Sequence, residues 1–147
     1  MDYYSFNPFS KNIDKINGED LFVLKDISEG WYVDYKENII KIPKIAKHMS
    51  AFANQYGGWL FFGIKESEAR TAGRYVGVDK DEVSKLLISI REAITAHSSP
   101  EIYYKEKIIE GPCNAIGLPE DKSIVILYIP DNVINLSDKL QFNSLKL

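Results

Sequence analysis

The central segment of the sequence runs from His48 to Glu66 and reads HMSAFANQYGGWLFFGIKE. Its first part has the apolar spacing of an amphipathic helix, and Gly57 and Gly58 can take the left-handed backbone conformation that ends a helix. Residues 59–64 are aromatic, aliphatic or glycine, which predicts a central strand buried on both faces. Charged residues follow at once, at a strand end of the kind where α/β proteins often place functional side chains.

The flanking sequence predicts two long helices and several strands around this segment. Residues 42–53 and 83–94 repeat the i, i+3, i+4, i+7 apolar spacing of a helix that buries one face. A short helix is predicted over 18–28, and further strands over 74–78, 102–110 and 123–129. The order of elements predicts an α+β fold, with a mixed or largely antiparallel sheet packed against two main amphipathic helices.

Residues 31–36 alternate in character, which predicts a half-buried strand. One face carries Trp31, Val33 and Tyr35, and the other carries Tyr32, Asp34 and Lys36. On this pattern the outward-facing tyrosines, Tyr32 here and Tyr103 and Tyr104 later in the chain, are candidates for stacking on nucleic-acid bases.

Size and composition narrow the classes of protein. The chain has 147 residues and a formal charge of −3, which suits one domain and argues against indiscriminate nucleic-acid binding. We expect an N-terminal arm over 1–17, a folded domain over 18–130 and a tail, or the start of a continuation, over 131–147. A single cysteine, Cys113, excludes an internal disulfide, and two distant histidines do not make a zinc site.

No apolar run approaches the ~18 residues that a membrane-spanning helix needs. The N-terminus also lacks the basic start and apolar stretch of a signal peptide. We therefore expect a cytoplasmic protein without a membrane partner.

Basic side chains fall together near the central segment and leave room for a basic face on an acidic chain. The candidates for contact with nucleic-acid phosphates are Lys36, Lys41, Lys44, Lys47, Arg70 and Arg74. The alternative for the helical lysines is an ordinary solvated surface.

Four motifs occur in a characteristic order. Glu29 is followed five residues later by Asp34-Tyr35-Lys36. The helix ends in AFANQYGG at 51–58, the central strand ends in GIKE at 63–66, and VGV follows at 76–78. Over roughly residues 20–130 this combination resembles the AlbA_2, or Schlafen-type, nucleic-acid-binding domain. The AFANxxGG block in that context carries most of the specificity.

The resemblance implies a fold related to the small Alba chromatin proteins, in which a sheet backed by helices presents a surface to nucleic acid. Some Schlafen relatives join two such lobes into a clamp and cleave RNA with three acidic residues and a divalent metal. Those acids correspond to Glu29, Asp34 and Glu66, with Lys36 beside the scissile phosphate or paired with Asp34. Active relatives usually have Glu at the second position and Asp at the third, so both positions are exchanged here.

The chemistry of these residues is consistent with that role. Phosphodiester hydrolysis suits a hard cation such as Mg²⁺ or Mn²⁺, held by carboxylate oxygens. Glu29 must lie outside the strand to reach Asp34, and Gly30 gives the backbone the freedom to fold back. Glu66 joins them if strand 31–36 runs beside strand 59–64. The alternative is three solvated acids at loop ends.

The sequence thus leaves three functions open. The leading hypothesis is a DNA- or RNA-binding AlbA_2-type domain of a bacterial regulatory or defence protein, forming a symmetric homodimer and with no cofactor assigned. The second is a metal-dependent endoribonuclease using Glu29, Asp34 and Glu66 as metal ligands, with Lys36 as a fourth catalytic residue and Mg²⁺ or Mn²⁺ as cofactor. The third is a protein-interaction module that has lost nucleic-acid activity.

Overall fold

The computed structural model describes residues 6–54, 57–97 and 102–130. The helices are α1 (Ile42–Asn54) and α2 (Lys80–His97). The strands are β1 (Val33–Lys36), β2 (Gly58–Phe62), β3 (Ile64–Glu66), β4 (Ala72–Tyr75), β5 (Val78–Asp79), β6 (Lys105–Glu110) and β7 (Lys122–Ile129). Short 3-10 helices span Ile13–Lys15, Glu19–Asp26 and Asn114–Ile116. The predicted α+β class, with a mixed sheet and two main helices, is confirmed.

The main sheet is built on β2 and β7. Strand β1 pairs with β2 in parallel, and β2 pairs with β7 antiparallel. Ser123 of β7 pairs with Val78 of β5 and with Glu110 of β6, which therefore lie on opposite edges of β7. Strand β5 thus continues the line of β2, and β1 and β6 are the outer strands. Strands β3 and β4 form a separate two-stranded sheet.

The prediction that the strand at 31–36 lies beside the central strand is confirmed. Val33 of β1 lies opposite Trp59 of β2, and the register continues to Lys36 opposite Phe62. Because the strands are parallel, the polar end of β1 and the end of β2 that leads into β3 lie at the same edge of the sheet.

Two predicted strands are shorter than expected because glycines interrupt them. Residues 59–64 were predicted as one strand, but β2 ends at Phe62. Gly63 has a φ of 99°, and a Cβ there would lie 2.8 Å from the Cα of Gly77. Gly77, with a φ of 74°, likewise divides the predicted strand 74–78 into β4 and β5.

The assignment of faces around Trp31 was wrong. Trp31 precedes β1 and its side chain is 68% exposed. Tyr32, predicted to face outward, is partly buried and stacks on Phe6 with ring centroids 5.4 Å apart. Strand alternation begins only at Val33, after the turn that follows Glu29.

The two faces of the sheet are covered by different layers. Leu60 and Phe62 pack under α1 and α2. Trp59 and Phe61 face the opposite core, which includes buried side chains of the N-terminal residues, such as Phe9. Residues 6–16, within the predicted N-terminal arm, thus pack on the body of the domain. The predicted tail over 131–147 lies outside the described residues.

Within the described ranges, no helix is both long enough and apolar enough to span a membrane.

Candidate nucleic-acid interface

An open groove of about 380 Å³ lies between β1 and α1. Val33 and Tyr35 face the core that is covered by the N-terminal residues. Asp34 and Lys36 therefore face the opposite side of the sheet, which carries α1. His48 of α1 lines the groove opposite them. The remaining polar lining comes from the turn that contains Glu29 and from Arg70 in the loop between β3 and β4.

The Glu29 carboxylate closes the outer edge of β1. Its Oε1 accepts a 2.8 Å hydrogen bond from the backbone N–H of Tyr35, and its Oε2 lies 3.3 Å from the Arg70 guanidinium. The Gly30 N–H donates to the Val33 carbonyl at 3.1 Å. The chain after Glu29 therefore folds back on β1, and backbone groups that face away from β2 find partners.

The three candidate acids interact through Glu29, because both Asp34 and Glu66 act on the pKa of its carboxyl group. Burial, followed by the Glu29 contact, raises the pKa of Asp34 to about 6. The neighbouring Glu29 carboxyl group raises the pKa of the exposed Glu66. Burial works against ionisation of Glu29, but hydrogen bonds led by the Tyr35 N–H outweigh it and lower its pKa. Glu29 therefore ionises more readily than a free carboxyl group, and its two neighbours retain protons more readily than free carboxyl groups.

Two nitrogen groups contact the Asp34 carboxylate from the groove. Lys36 Nζ lies 3.5 Å and His48 Nδ1 lies 3.1 Å from the same oxygen, Oδ2. The salt bridge left open in the sequence for Lys36 is thus present. Burial, then the charges of Lys36 and Lys47, lower the pKa of His48. At neutral pH the imidazole is therefore neutral, and its contact with Asp34 is not an ion pair.

The predicted basic residues are only partly brought together. Lys44 and Lys47 are exposed on α1, one helical turn and one residue before His48, but only His48 of these three lines the groove. Lys41 precedes α1, where its carbonyl accepts from the Lys44 N–H at 2.9 Å. Arg74 lies in β4 and lines a separate depression beside the 3-10 helix at 114–116.

Sequence reasoning missed His48 and Trp31 as groove residues. His48 is three residues after buried Ile45 and four before buried Phe52, so helical geometry places it at the border of the buried face of α1. That spacing was a usable signal. For Trp31, the adjacent Gly30 was the indication that the regular strand had not yet begun.

The carboxylates have suitable chemistry for a hard divalent cation. Among the described residues, however, no three Asp, Glu, His or Cys side chains are arranged to hold one ion. Glu29 is directed at the Tyr35 N–H and Arg70, and Asp34 at Lys36 and His48. The arrangement thus does not fit a ready-made metal site.

The fold and groove define a class of protein: an α+β domain in which a parallel edge strand and one helix gather acids and bases into a surface groove. The family model described as Schlafen, AlbA_2 matches residues 29–141, well over half of the chain. The chain therefore belongs to the Schlafen AlbA_2 family, as the motifs implied. A comparison with curated proteins gave no match.

Proposed function

We propose that this protein is a DNA- or RNA-binding domain and that nucleic-acid phosphates lie along the groove between β1 and α1. The supporting observation is that Lys36 and Arg70 line the groove, with the exposed Lys44 and Lys47 near His48 on α1. The chain as a whole has a formal charge of −3. A local cluster of cations on an acidic protein directs phosphate binding to one place.

The cations of this cluster fall into two groups. Lys36 and Arg70 are held by Asp34 and Glu29, which fixes their positions beside the groove. Lys44 and Lys47 are exposed and make no salt bridge with any residue in the described part of the chain. Phosphate contacts by these two lysines therefore cost no existing ion pair, and they are the first positions to test.

The test is fluorescence anisotropy with labelled single-stranded thymidine and uridine dodecamers over a range of salt concentrations. The Lys44→Ala/Lys47→Ala double variant should bind more weakly. Its log–log salt slope should be shallower by about 1.4, since each lost phosphate contact on a single strand removes about 0.7.

Lys85→Ala is the matched control, because it removes one exposed lysine from α2. If Lys85→Ala weakens binding as much as Lys44→Ala or Lys47→Ala does, the groove is excluded as the binding site. If the wild-type protein retains neither oligonucleotide at low salt, the function is wrong and a protein-interaction module becomes the leading alternative.

A metal-dependent endoribonuclease is the second candidate. The observation that favours it is that the Glu29 carboxyl group interacts with two others, from Asp34 in β1 and from Glu66 in β3. Glu66→Gln is the informative variant, because Glu66 is exposed whereas Glu29 also closes the edge of β1. RNA cleavage that requires Mn²⁺ or Mg²⁺ and is lost in Glu66→Gln would support this function. Cleavage that persists unchanged in the variant would contradict it.

We also propose that the domain acts as a symmetric homodimer within a cytoplasmic bacterial regulatory or defence protein. A single lobe supplies one groove, and two lobes related by a two-fold axis would form the clamp that the family resemblance implies. Light scattering at high protein concentration tests the dimer, and a monomeric mass there would contradict it.

A further inference from the structure

Among the described residues, Trp31 is the most exposed of the large apolar residues, at 68%, and it lines the groove together with Lys36, His48 and Arg70. Indole rings of this size are normally buried, because exposing them to water is costly. The second tryptophan of the chain, Trp59, is 1% exposed and shows that ordinary case. An exposed indole beside Lys36 and Arg70 is positioned to contact a ligand that enters the groove.

The backbone around Trp31 is fixed although its side chain is exposed. On one side, the Glu29 N–H donates to the Arg70 carbonyl at 2.8 Å, and the Gly30 N–H donates to the Val33 carbonyl at 3.1 Å. On the other side, the Trp59 N–H donates to the Tyr32 carbonyl at 2.7 Å. A ring carried on a backbone held at both ends loses little conformational freedom on binding, as suits a stacking platform.

The surroundings of Trp31 favour a nucleobase over an apolar protein surface. A protein interface centred on a tryptophan would place it within an apolar patch. The groove next to Trp31 instead presents charged and polar groups from Glu29, Arg70 and His48. An aromatic face beside cations is the pairing that single-stranded nucleic acids use, with the base on the ring and the phosphates on the cations.

We propose that Trp31 stacks on an unpaired base, so that the groove takes single-stranded DNA or RNA, or an unpaired segment, in preference to a duplex. The inference rests on the proposed function and names the class of ligand for that same groove. In a duplex the face of each base is covered by the neighbouring bases, so Trp31 could stack on a base only if the bases were first unstacked. Tyr32, expected from sequence to stack, is instead engaged by Phe6.

The experiment compares a thymidine dodecamer with an abasic dodecamer of the same backbone, so that phosphate charge is held constant while the bases are removed. Trp31→Ala should weaken binding of the thymidine dodecamer about 5- to 20-fold, the lower part of the range for one stacked base, and leave abasic binding unchanged. Trp31→Phe should recover part of the loss, and Phe22→Ala, which removes another exposed aromatic, should change neither affinity.

Intrinsic fluorescence gives an independent readout, since only Trp31 and the buried Trp59 contribute indole emission. The thymidine dodecamer should quench wild-type emission but not that of Trp31→Phe, and melting curves confirm that each variant is folded. The stacking proposal fails if Trp31→Ala binds the thymidine dodecamer as tightly as the wild type while the α1 lysine variants bind it weakly. It also fails if Trp31→Ala changes only self-association. If the wild-type protein binds neither dodecamer, the proposed function itself is wrong.

Discussion

Replacing Asp34 by asparagine should stabilise this protein at neutral pH. The side chain is only 16% exposed, and burial together with the neighbouring Glu29 raises its pKa from 3.8 to about 6. Ionising Asp34 is therefore less favourable in the folded state than in the unfolded chain. Asparagine has nearly the same shape and can still accept a hydrogen bond from Lys36 or His48, but it carries no charge.

The magnitude follows from the displacement of the pKa. Taken in full, a change from 3.8 to about 6 corresponds to about 3 kcal/mol of unfavourable free energy at neutral pH. The groove is open to water, which screens the charges, so we expect about 1–2 kcal/mol in practice. The unfolded chain releases this proton first as pH rises. The wild type therefore loses stability between about pH 4 and pH 6, and the loss persists above that range.

Urea denaturation of the wild type and Asp34→Asn across that pH range measures the effect. The variant should be more stable at pH 7.5 and indistinguishable from the wild type below pH 4. Asp20→Asn provides a control of opposite sign, because the Asn17 N–H and Lys11 lower the pKa of Asp20, so its ionised form stabilises the fold. A variant Asp34→Asn that is less stable than the wild type at pH 7.5 would refute this account of the acid cluster.

Substitutions of Glu29 and of Gly58, each with a control, test the local structure around the groove and the helix end. Glu29→Ala leaves the Tyr35 N–H without its acceptor and should cost about 1–3 kcal/mol of unfolding free energy, whereas Glu29→Gln keeps the acceptor and should cost less. The Tyr35 amide should exchange hydrogen faster in Glu29→Ala but not in Glu29→Gln. Equal exchange rates in the two variants would contradict the role of Glu29 as the acceptor for this amide. Gly58→Ala places a Cβ 2.3 Å from the Phe52 ring and should lower stability by about 1–3 kcal/mol. Thermal melts measure this loss, with Gly30→Ala as the control, because a Cβ at Gly30 meets no atom within 4 Å and should leave stability unchanged. Equal losses of stability at the two positions would show that crowding at Phe52 is not the cause.

Most of the fold could be predicted from apolar patterning. The apolar run at 59–62 gave the buried central strand, and the 3.6-residue spacing gave both long helices. The break at Gly63 was missed because the apolar pattern continues through it into Ile64. Only the close approach of Gly77, distant in sequence, shows why the strand must end there.

The candidate site divides in the same way. The order of the motifs predicted that Glu29, Asp34 and Glu66 act together. Their proximity depends on the parallel pairing of β1 with β2. Arg74 was grouped with Arg70 by sequence position, but four residues of chain carry it into β4 and toward a different depression. Such separations depend on how a loop turns, which residue spacing alone does not specify.

The closure of β1 by Glu29 links the ionic state of the groove to the solubility of the protein. An outer strand with free amide groups is a template on which a second molecule can add a strand, and proteins protect such margins. Here the protection is a single carboxylate on the Tyr35 N–H, together with the Gly30 turn. A ligand that displaces Glu29, or protonation of its carboxylate, would expose the outer edge of β1. On acidification, turbidity should therefore appear before secondary structure is lost.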